Sequence, residues 1–232
     1  METKSGFLLI ADISGFTEFI KIHNMRKRPV IGQRVADFWQ SHAEQLITDL
    51  LETIIDAVEP HMILNKIEGD AALFYLEESD PRQQVQNLID QLDGINSAFL
   101  DRLNALQFVS ACPCDPCQQS KNLRLKMVFH KATFQLTQIR NLTELAGEDV
   151  ILIHRLLKNS IRSDEYWLFT KTFSDYISPR SGLDLRSISE QVDNFGTQSL
   201  SVVYLTEPEP CSAANGWLIK AQNYIKMMRY YR

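Results

Sequence analysis

The sequence predicts an α/β (α+β) sandwich, in which a sheet packs against amphipathic helices. Three observations support this fold class. Residues 7–12 form an apolar run that ends in Asp12, too short for a buried helix and typical of a buried strand. Residues 62–66 and 71–76 are apolar segments around Gly69, a pattern that predicts a tight hairpin. Two longer segments carry apolar residues at every third or fourth position, which predicts helices that cover the sheet.

The first half of the chain contains predicted helices and an exposed loop between its predicted strands. After the strand 7–12, Gly15 marks a turn into a short helix through Phe19 and Ile20, and the basic stretch 26–29 is predicted to be an exposed loop. A long helix is predicted from about 33 to 58. Its apolar stripe consists of Val35, Phe38, His42, Leu46, Leu50 and Ile54. After the hairpin, Asp80 and Pro81 are typical of a helix start, with the aspartate as cap and the proline first in the helix.

The second half of the chain alternates strands and helices. Strands are predicted at 123–134, 166–169 and 200–205, and a helix at 150–158. We place one domain at 1–206, with a cysteine-rich loop at 111–118. Residues 207–232 form a tail, which we expect to be helical. The apolar residues of this tail that could cover the sheet are Trp217, Ile219, Tyr224 and Met227.

Composition excludes several classes of protein. The hydrophobic content of 44% and the charged content of 23% are ordinary for a globular domain with a core. A net charge of −5 argues against a nucleic-acid partner, which would need a basic face. No apolar stretch approaches the ~20 residues of a membrane-spanning helix, and the N-terminus does not resemble a signal peptide. We therefore expect a cytoplasmic protein without a membrane partner.

Two aspartates end neighbouring predicted strands. Asp12 closes the first strand and Asp70 lies at the tip of the hairpin. Paired carboxylates are hard oxygen ligands, which suit Mg²⁺ or Mn²⁺ in a site that also holds a triphosphate. Free backbone N–H groups after Gly15 would suit the phosphate oxygens. The alternative for Asp12 alone is that its carboxylate caps the following helix.

Residues 11–17, Ala-Asp-Ile-Ser-Gly-Phe-Thr, together with Lys66, Gly69 and Asp70, resemble the two metal-binding motifs of class III nucleotidyl cyclase catalytic domains. The resemblance covers about 6–206 and implies a ferredoxin-like, antiparallel-type sheet with helices on one face. It implies two metal ions held by Asp12 and Asp70, with the Ile13 carbonyl as a further ligand. Phe129-His130 fits the fourth strand of the family, and an insertion is expected within 24–45. The residues that the resemblance assigns to nucleotide binding are Gly15, Phe16, Thr17 and the base-contacting Lys66.

A third motif, at 144–155, matches the family in part. Glu144 stands for a base-contacting aspartate, and Arg155 matches a transition-state arginine. Ile151 replaces an asparagine that orients the ribose, and Phe195 stands where the family has a phosphate-neutralising lysine. Losing one such positioned polar contact can cost on the order of 10²–10³ in rate. By this resemblance the chain keeps the binding half of the site and alters the catalytic half.

Three functions are compatible with these motifs. The first is a protein that binds a purine nucleoside triphosphate with metal and cyclises it slowly or not at all. The second is an active adenylate or guanylate cyclase whose missing groups come from Lys158, Asn159 or Asn194. The third is a zinc-stabilised interaction domain. The family also implies a head-to-tail homodimer, in which each site takes its aspartates from one chain and its arginine from the other.

Three of the four cysteines are packed into six residues. Cys112, Cys114 and Cys117 are candidate zinc ligands, since clustered thiols in a reducing compartment are typical of metal or redox sites. The fourth ligand is not evident from the sequence. Cys211 is distant along the chain, and His130 lies on a predicted core strand, where a packed histidine is the alternative. Free thiols are the alternative for the cysteines themselves.

His154 lies on the predicted helix 150–158, where we expect a solvated side chain.

Overall fold

A computed structural model describes residues 3–16, 33–109 and 120–206. Side chains are described for all of these except 33–43, 107–109 and 121. In chain order the elements are β1 (Thr3–Ser14), α1 (Gln33–Val58), β2 (Ile63–Glu68), β3 (Ala71–Glu77), α2 (Pro81–Val109), a 3₁₀ turn (Ser120–Asn122), β4 (Arg124–Ile139), β5 (Leu142–Ala146), α3 (Glu148–Leu156), β6 (Tyr166–Thr170), the short α4 (Lys171–Ser174), β7 (Arg186–Val192) and β8 (Gly196–Tyr204).

The strands form one mixed sheet in the order β2-β3-β1-β4-β6-β8-β7. The short β5 pairs with the second half of β4. β4 and β6 run parallel, and the other pairs are antiparallel. β1 lies between β3 and β4, so that Asp12 is opposite Ala71 on one side and Lys126 on the other. This register places the end of β1 at the centre of the sheet edge.

Each face of the sheet has its own buried core. One face, with Phe7, Leu9 and Ala11, packs against α1 and α2. The opposite face, with Leu8 and Ile10, packs against α3. The buried α3 side chains are Val150, Leu152, Ile153 and Leu156. The predicted fold class is confirmed, but helices cover both faces and not one, because α3 has an apolar face of its own to bury.

Several predicted elements are confirmed in detail. α1 has the predicted bounds, and α2 begins at Pro81, where the Asp80 carboxylate accepts a hydrogen bond from the backbone N–H of Gln83 at 3.2 Å. The predicted helix 150–158 begins and ends two residues earlier, and β4 runs five residues further than predicted. β5 and β7 were not predicted, because both are short and largely exposed.

Other predictions fall outside the described residues. These are the short helix through Phe19 and Ile20, the basic stretch 26–29, the cysteine-rich loop and the tail 207–232, together with the side chains of Val35, Phe38 and His42. Among the helices that the structure describes, none combines the length and the apolar character that crossing a bilayer requires.

Candidate functional site

Asp12 forms a largely buried ion pair at the end of β1. Its Oδ2 lies 2.9 Å from Nζ of Lys126 on the neighbouring β4, and the two side chains are 14% and 20% exposed. Burial by itself would lower the pKa of Lys126, but attraction to the Asp12 carboxylate outweighs burial and raises that pKa. Lys126 is therefore a stable positive charge beside the predicted metal ligand.

Asp70 lies next to this pair, at the turn between β2 and β3. Gly69 takes a φ of +66° at the turn, and the Asp70 carbonyl accepts a hydrogen bond from the Ile13 N–H at 3.0 Å. Burial and the nearby Asp12 charge raise the pKa of Asp70 to about 6, and Lys126 offsets part of this effect. The electrostatic coupling of the two carboxylates shows that the fold brings the predicted pair together.

A cleft of about 660 Å³ opens between this sheet edge and α3. We call it the aspartate cleft. It is lined by Asp12, Ile13, Ser14, Gly15, Phe16, Asp70, Lys126, His154, Leu157, Lys158 and Asp164. Gly15 has a φ of +90°, and an added Cβ would lie 3.3 Å from the Asn122 carbonyl oxygen, so glycine is required at this turn. Thr17, which was predicted to contact nucleotide, lies outside the described residues.

The donors of the aspartate cleft fit a hard cation in part. Asp12 and Asp70 supply carboxylate oxygens of the kind that Mg²⁺ and Mn²⁺ bind, and Mg²⁺ usually takes only one or two carboxylates besides water and phosphate oxygens. Within residues 3–16, 33–109 and 120–206, no group of three or more His, Cys, Asp or Glu side chains is placed to hold a metal ion by itself. A metal in this cleft would therefore need oxygens from a ligand or from water.

A second group of charges links β2, β5 and α3. Lys66 Nζ lies 2.8 Å from Glu68 and 3.7 Å from Glu144, so the two predicted base-contacting residues are neighbours. The contact with Glu68 contributes most to raising the pKa of Lys66, and Glu144 adds to it against the effect of burial. β2 and β5 are held together by a hydrogen bond from Asn65 Nδ2 to the Thr143 carbonyl at 2.9 Å.

His154 connects this group to α3. Its Nδ1 lies 3.2 Å from Glu68 Oε2, and burial lowers its pKa. The interpretation of His154 as a solvated helix position was wrong. The side chain is only 28% exposed and contacts Glu68, at the end of β2 beside the β2–β3 turn. His154 thus joins the turn that carries Asp70 to the helix that carries Arg155.

Arg155 lines a separate cleft of about 400 Å³, which we call the arginine cleft. Its lining residues are Ile151, His154, Arg155, Lys158, Gln191, Val192 and Asp193. The Nε of Arg155 is buried and has no hydrogen-bond partner among the described atoms. Ile151 is 52% exposed and presents an aliphatic side chain to the cleft. In a single chain the structure therefore brings Asp12 and Asp70 together but places Arg155 in another cleft.

The proposed substitutes for the missing catalytic groups differ in their surroundings. Asn159 donates hydrogen bonds to the Leu156 carbonyl and the Tyr166 hydroxyl and accepts one from the Ile161 N–H, so its side chain is already fully used in the fold. Asn194 is exposed in the β7–β8 turn, with a φ of 69°. Lys158 lines both clefts. Phe195 packs against the core on the α3 face.

His130 is buried in the fold, which agrees with its alternative interpretation as a packed histidine. Its Nδ1 lies 2.9 Å from the Thr170 hydroxyl, and its Nε2 is 3.3 Å from Asp149 but poorly aligned for a hydrogen bond. Both ring nitrogens therefore face partners within the fold.

Cys112, Cys114, Cys117 and Cys211 lie outside the described residues, so the zinc site stays a prediction.

Lys126 lines the aspartate cleft but was not predicted from the sequence to be a site residue. The alternating side chains of β4 indicate which face Lys126 lies on. Leu125, Met127 and Phe129 face one core, and the intervening residues face the other. Lys126 therefore shares a face with Asp12, but only the β1–β4 register sets the two side by side. That register is a tertiary feature, which the local pattern does not reveal.

The amino-acid sequence is similar to that of a curated protein. The chain is 36% identical over 124 residues to the "Uncharacterized protein Rv2561/Rv2562" of Mycobacterium tuberculosis, an alignment that covers 53% of this chain and 57% of that protein. The chain thus spans little more than half the length of this relative.

Solved structures of cyclases share the fold. The guanylyl cyclase Cya2 matches 91% of this chain and 96% of its own, with a TM-score of 0.60 and 12% identity. A class III adenylyl cyclase-like ATP-binding protein from Pseudomonas aeruginosa matches 76% of this chain and 35% of its own, with a TM-score of 0.56 and 16% identity. Because the sequence identities are this low, the similarity establishes only the fold, which is that of a class III cyclase catalytic domain.

A family model described as "Protein of unknown function (DUF2652)" matches residues 47–166, which span more than half of the chain. The matched segment runs from α1 to the start of β6 and includes Asp70, Lys126 and Arg155. The chain therefore belongs to the DUF2652 family and has the fold of a class III nucleotidyl cyclase domain.

Proposed function

We propose that the chain binds a purine nucleoside triphosphate together with a divalent cation, in a cyclase-like site whose catalytic half is altered. The observation that carries this proposal is the paired Asp12 and Asp70 in the aspartate cleft, beside the buried cation Lys126. The cyclase fold supports it, because the two sequence motifs that carry these aspartates resemble the metal-binding motifs of that family.

The chemistry of the aspartate cleft suits a triphosphate. Mg²⁺ or Mn²⁺, when bound, would neutralise phosphate charge and would be held by Asp12 and Asp70, with the Ile13 carbonyl as a further ligand. Lys126 and Lys158 contribute positive charge to the same cleft. The backbone at Gly15 and Phe16 begins the segment expected to meet the phosphates. Lys66 and Glu144, which lie 3.7 Å apart, would contact the purine base.

The altered half of the site argues for slow or absent cyclisation. Ile151 cannot donate a hydrogen bond to the ribose, although it occupies the arginine cleft beside Arg155. Phe195 is partly buried against the core on the α3 face and carries no charge for the phosphates. A cleft that binds its ligand but lacks these polar contacts stabilises the transition state poorly.

The separation of the two clefts supports a head-to-tail homodimer. Arg155 does not line the cleft that contains Asp12 and Asp70. In a two-fold dimer the arginine cleft of one chain would face the aspartate cleft of its partner, which would create two equivalent sites. Exposed apolar side chains on α3 and on the β4–β5 hairpin fit such an interface: Ile139, Leu142 and Ile151.

A second candidate function is an active adenylate or guanylate cyclase. Lys158 favours it, because this side chain lines both clefts and so could replace the lysine that Phe195 has displaced. The two functions differ in whether bound nucleotide is turned over.

The experiment that separates them is incubation of purified protein with Mn²⁺ and either ATP or GTP, with bound nucleotide and cyclic product both measured. We expect metal-dependent binding with product at least ~100-fold below that of an active cyclase, in line with the lost polar contacts. Cyclic product that disappears in Lys158→Met would establish the second function. Absence of metal-dependent binding to either nucleotide would contradict both.

A further inference from the structure

The most unusual feature of the aspartate cleft is that a positive side chain already lies where a cation is expected. Lys126 is directly opposite Asp12 in the β1–β4 register, and its Nζ contacts Asp12 Oδ2 at 2.9 Å. Both side chains are at least four-fifths buried. Cross-strand neighbours are held at fixed separation by the sheet, so this contact is built into the backbone pairing.

We infer that Lys126 is an internal cation of the aspartate cleft, which takes one of the two cation positions beside Asp12 and Asp70 and limits the cleft to a single divalent ion. The inference rests on the proposed use of this cleft for a metal–nucleotide complex. It concerns only this chain's own residues and the number of ions that they admit.

Coordination chemistry gives the first reason. Two divalent ions held by two aspartates need bridging carboxylates, with oxygens of each aspartate shared between the ions. Lys126 takes up Oδ2 of Asp12, which leaves the other oxygen of Asp12 and the carboxylate of Asp70. These donors suffice for one ion whose remaining ligands are water and phosphate oxygens. They do not suffice for a second ion while the lysine contact persists.

Charge gives the second reason. Asp12 and Asp70 are two carboxylates that line the same cleft, and the ammonium group of Lys126, in contact with Asp12 at 2.9 Å, offsets their mutual repulsion. Lys158, the second lysine among the described residues that line the cleft, is exposed just after the end of α3. A second divalent ion would have to displace a buried ammonium group from its carboxylate, which is unfavourable unless the lysine finds another anion.

The test counts Mn²⁺ ions by electron paramagnetic resonance, first with the metal alone and then with a non-hydrolysable ATP analogue. Lys126→Met keeps most of the length of the side chain but removes its charge, and Lys126→Arg keeps the charge. We expect one ion per chain for wild type and Lys126→Arg. For Lys126→Met we expect two ions, which show spin coupling because such ions lie about 3.5–4 Å apart. The matched control is Lys131→Met, on the same strand but paired with Glu78 and Tyr176 away from the cleft.

The outcomes distinguish this inference from the proposed function. Two spin-coupled ions in the wild type would overturn the inference, and this measurement does not depend on whether any variant folds. The same number of ions in wild type and folded Lys126→Met, as judged by circular dichroism, would also overturn it. If the ion counts follow the expectation but the ATP analogue fails to bind, the inference stands and the proposed function is wrong.

Discussion

At the scale of single residues, the charges of the aspartate cleft are balanced against one another. Asp12 is paired with Lys126, whereas no cation among the described residues forms an ion pair with Asp70, whose carboxyl takes up a proton more readily than an exposed aspartate. The resemblance assigns the same role to both aspartates, but the electrostatic environments of their carboxylates differ. This difference makes Asp70 the group whose protonation should govern the metal-free cleft.

We predict that Asp70→Asn stabilises the metal-free protein, and that the gain depends on pH. The folded-state pKa of about 6 is above the ordinary value of 3.8, so ionisation of Asp70 costs stability as pH rises from about 4 to about 6. Asparagine mimics the protonated carboxyl. Its advantage in unfolding free energy should be near zero at about pH 4 and reach roughly 1–3 kcal/mol at about pH 7, since one pKa unit is about 1.4 kcal/mol.

Urea unfolding followed by circular dichroism measures this difference. The exposed Asp56, which lies on α1, provides the matched control, because Asp56→Asn should show no such growth with pH. A stability difference for Asp70→Asn that stays constant between about pH 4 and pH 7 would mean that Asp70 is not electrostatically strained.

At the scale of elements, α3 is the segment that both clefts share. Its first turn is fixed by Asp149, whose carboxylate accepts a hydrogen bond from the Thr133 N–H at 2.6 Å and lies 3.3 Å from the buried His130. Its last turn presents His154 to both clefts, and Lys158, two residues beyond the helix, lines both of them as well. The position of α3 therefore sets the geometry of the two clefts together.

We predict that Asp149→Ala lowers the free energy of unfolding by about 1–3 kcal/mol, because the Thr133 N–H loses its acceptor and buried His130 loses its neighbouring charge. The interaction with His130 is the main cause of the lowered pKa of Asp149, so the loss should shrink as pH falls below the ordinary aspartate range. Thermal or urea unfolding measures the change. Glu148→Ala, at the exposed neighbouring position, should shift stability by less than about 0.5 kcal/mol.

The elements also show what local pattern can and cannot predict. The buried run of β1, the Gly69 turn and the Asp80–Pro81 start of α2 follow from hydrophobic period and turn chemistry, and all three are found. β5 and β7 were missed because exposed strands carry no apolar run. Lys126 and the Glu68–His154 contact were missed because they depend on strand register and on α3 packing across the sheet.

At the scale of the whole molecule, the proposed site would be shared between two chains. Asp12 and Arg155 line different clefts of the same chain, so in the proposed dimer the aspartate cleft of one protomer would be completed by the arginine cleft of its partner. We predict a dimeric mass by sedimentation at high protein concentration in the presence of Mn²⁺ and nucleotide. A strictly monomeric mass under these conditions would remove this part of the account.

Mixing two variants tests the arrangement of the dimer. Asp12→Asn and Arg155→Ala should each bind nucleotide poorly alone. In an equal mixture, half of the dimers are mixed and each of these keeps one intact site, so binding should recover to about a quarter of the wild-type level. No recovery in mixtures that do exchange chains would mean that both residues serve the same cleft within one chain, or that Arg155 does not contribute.

The most direct test of the central claim is a calorimetric titration of Mn²⁺–ATP and Mn²⁺–GTP into wild type and Asp12→Asn. Asparagine retains an oxygen for Lys126, so the fold should persist while one anionic metal ligand is lost. The exposed Asp184, next to Arg186 in the loop before β7, provides the control variant Asp184→Asn. We predict saturable binding of at least one of the two nucleotides to wild type and control, weakened by roughly 100-fold in Asp12→Asn. Equal affinity in wild type and Asp12→Asn, or no binding to either, would contradict the account.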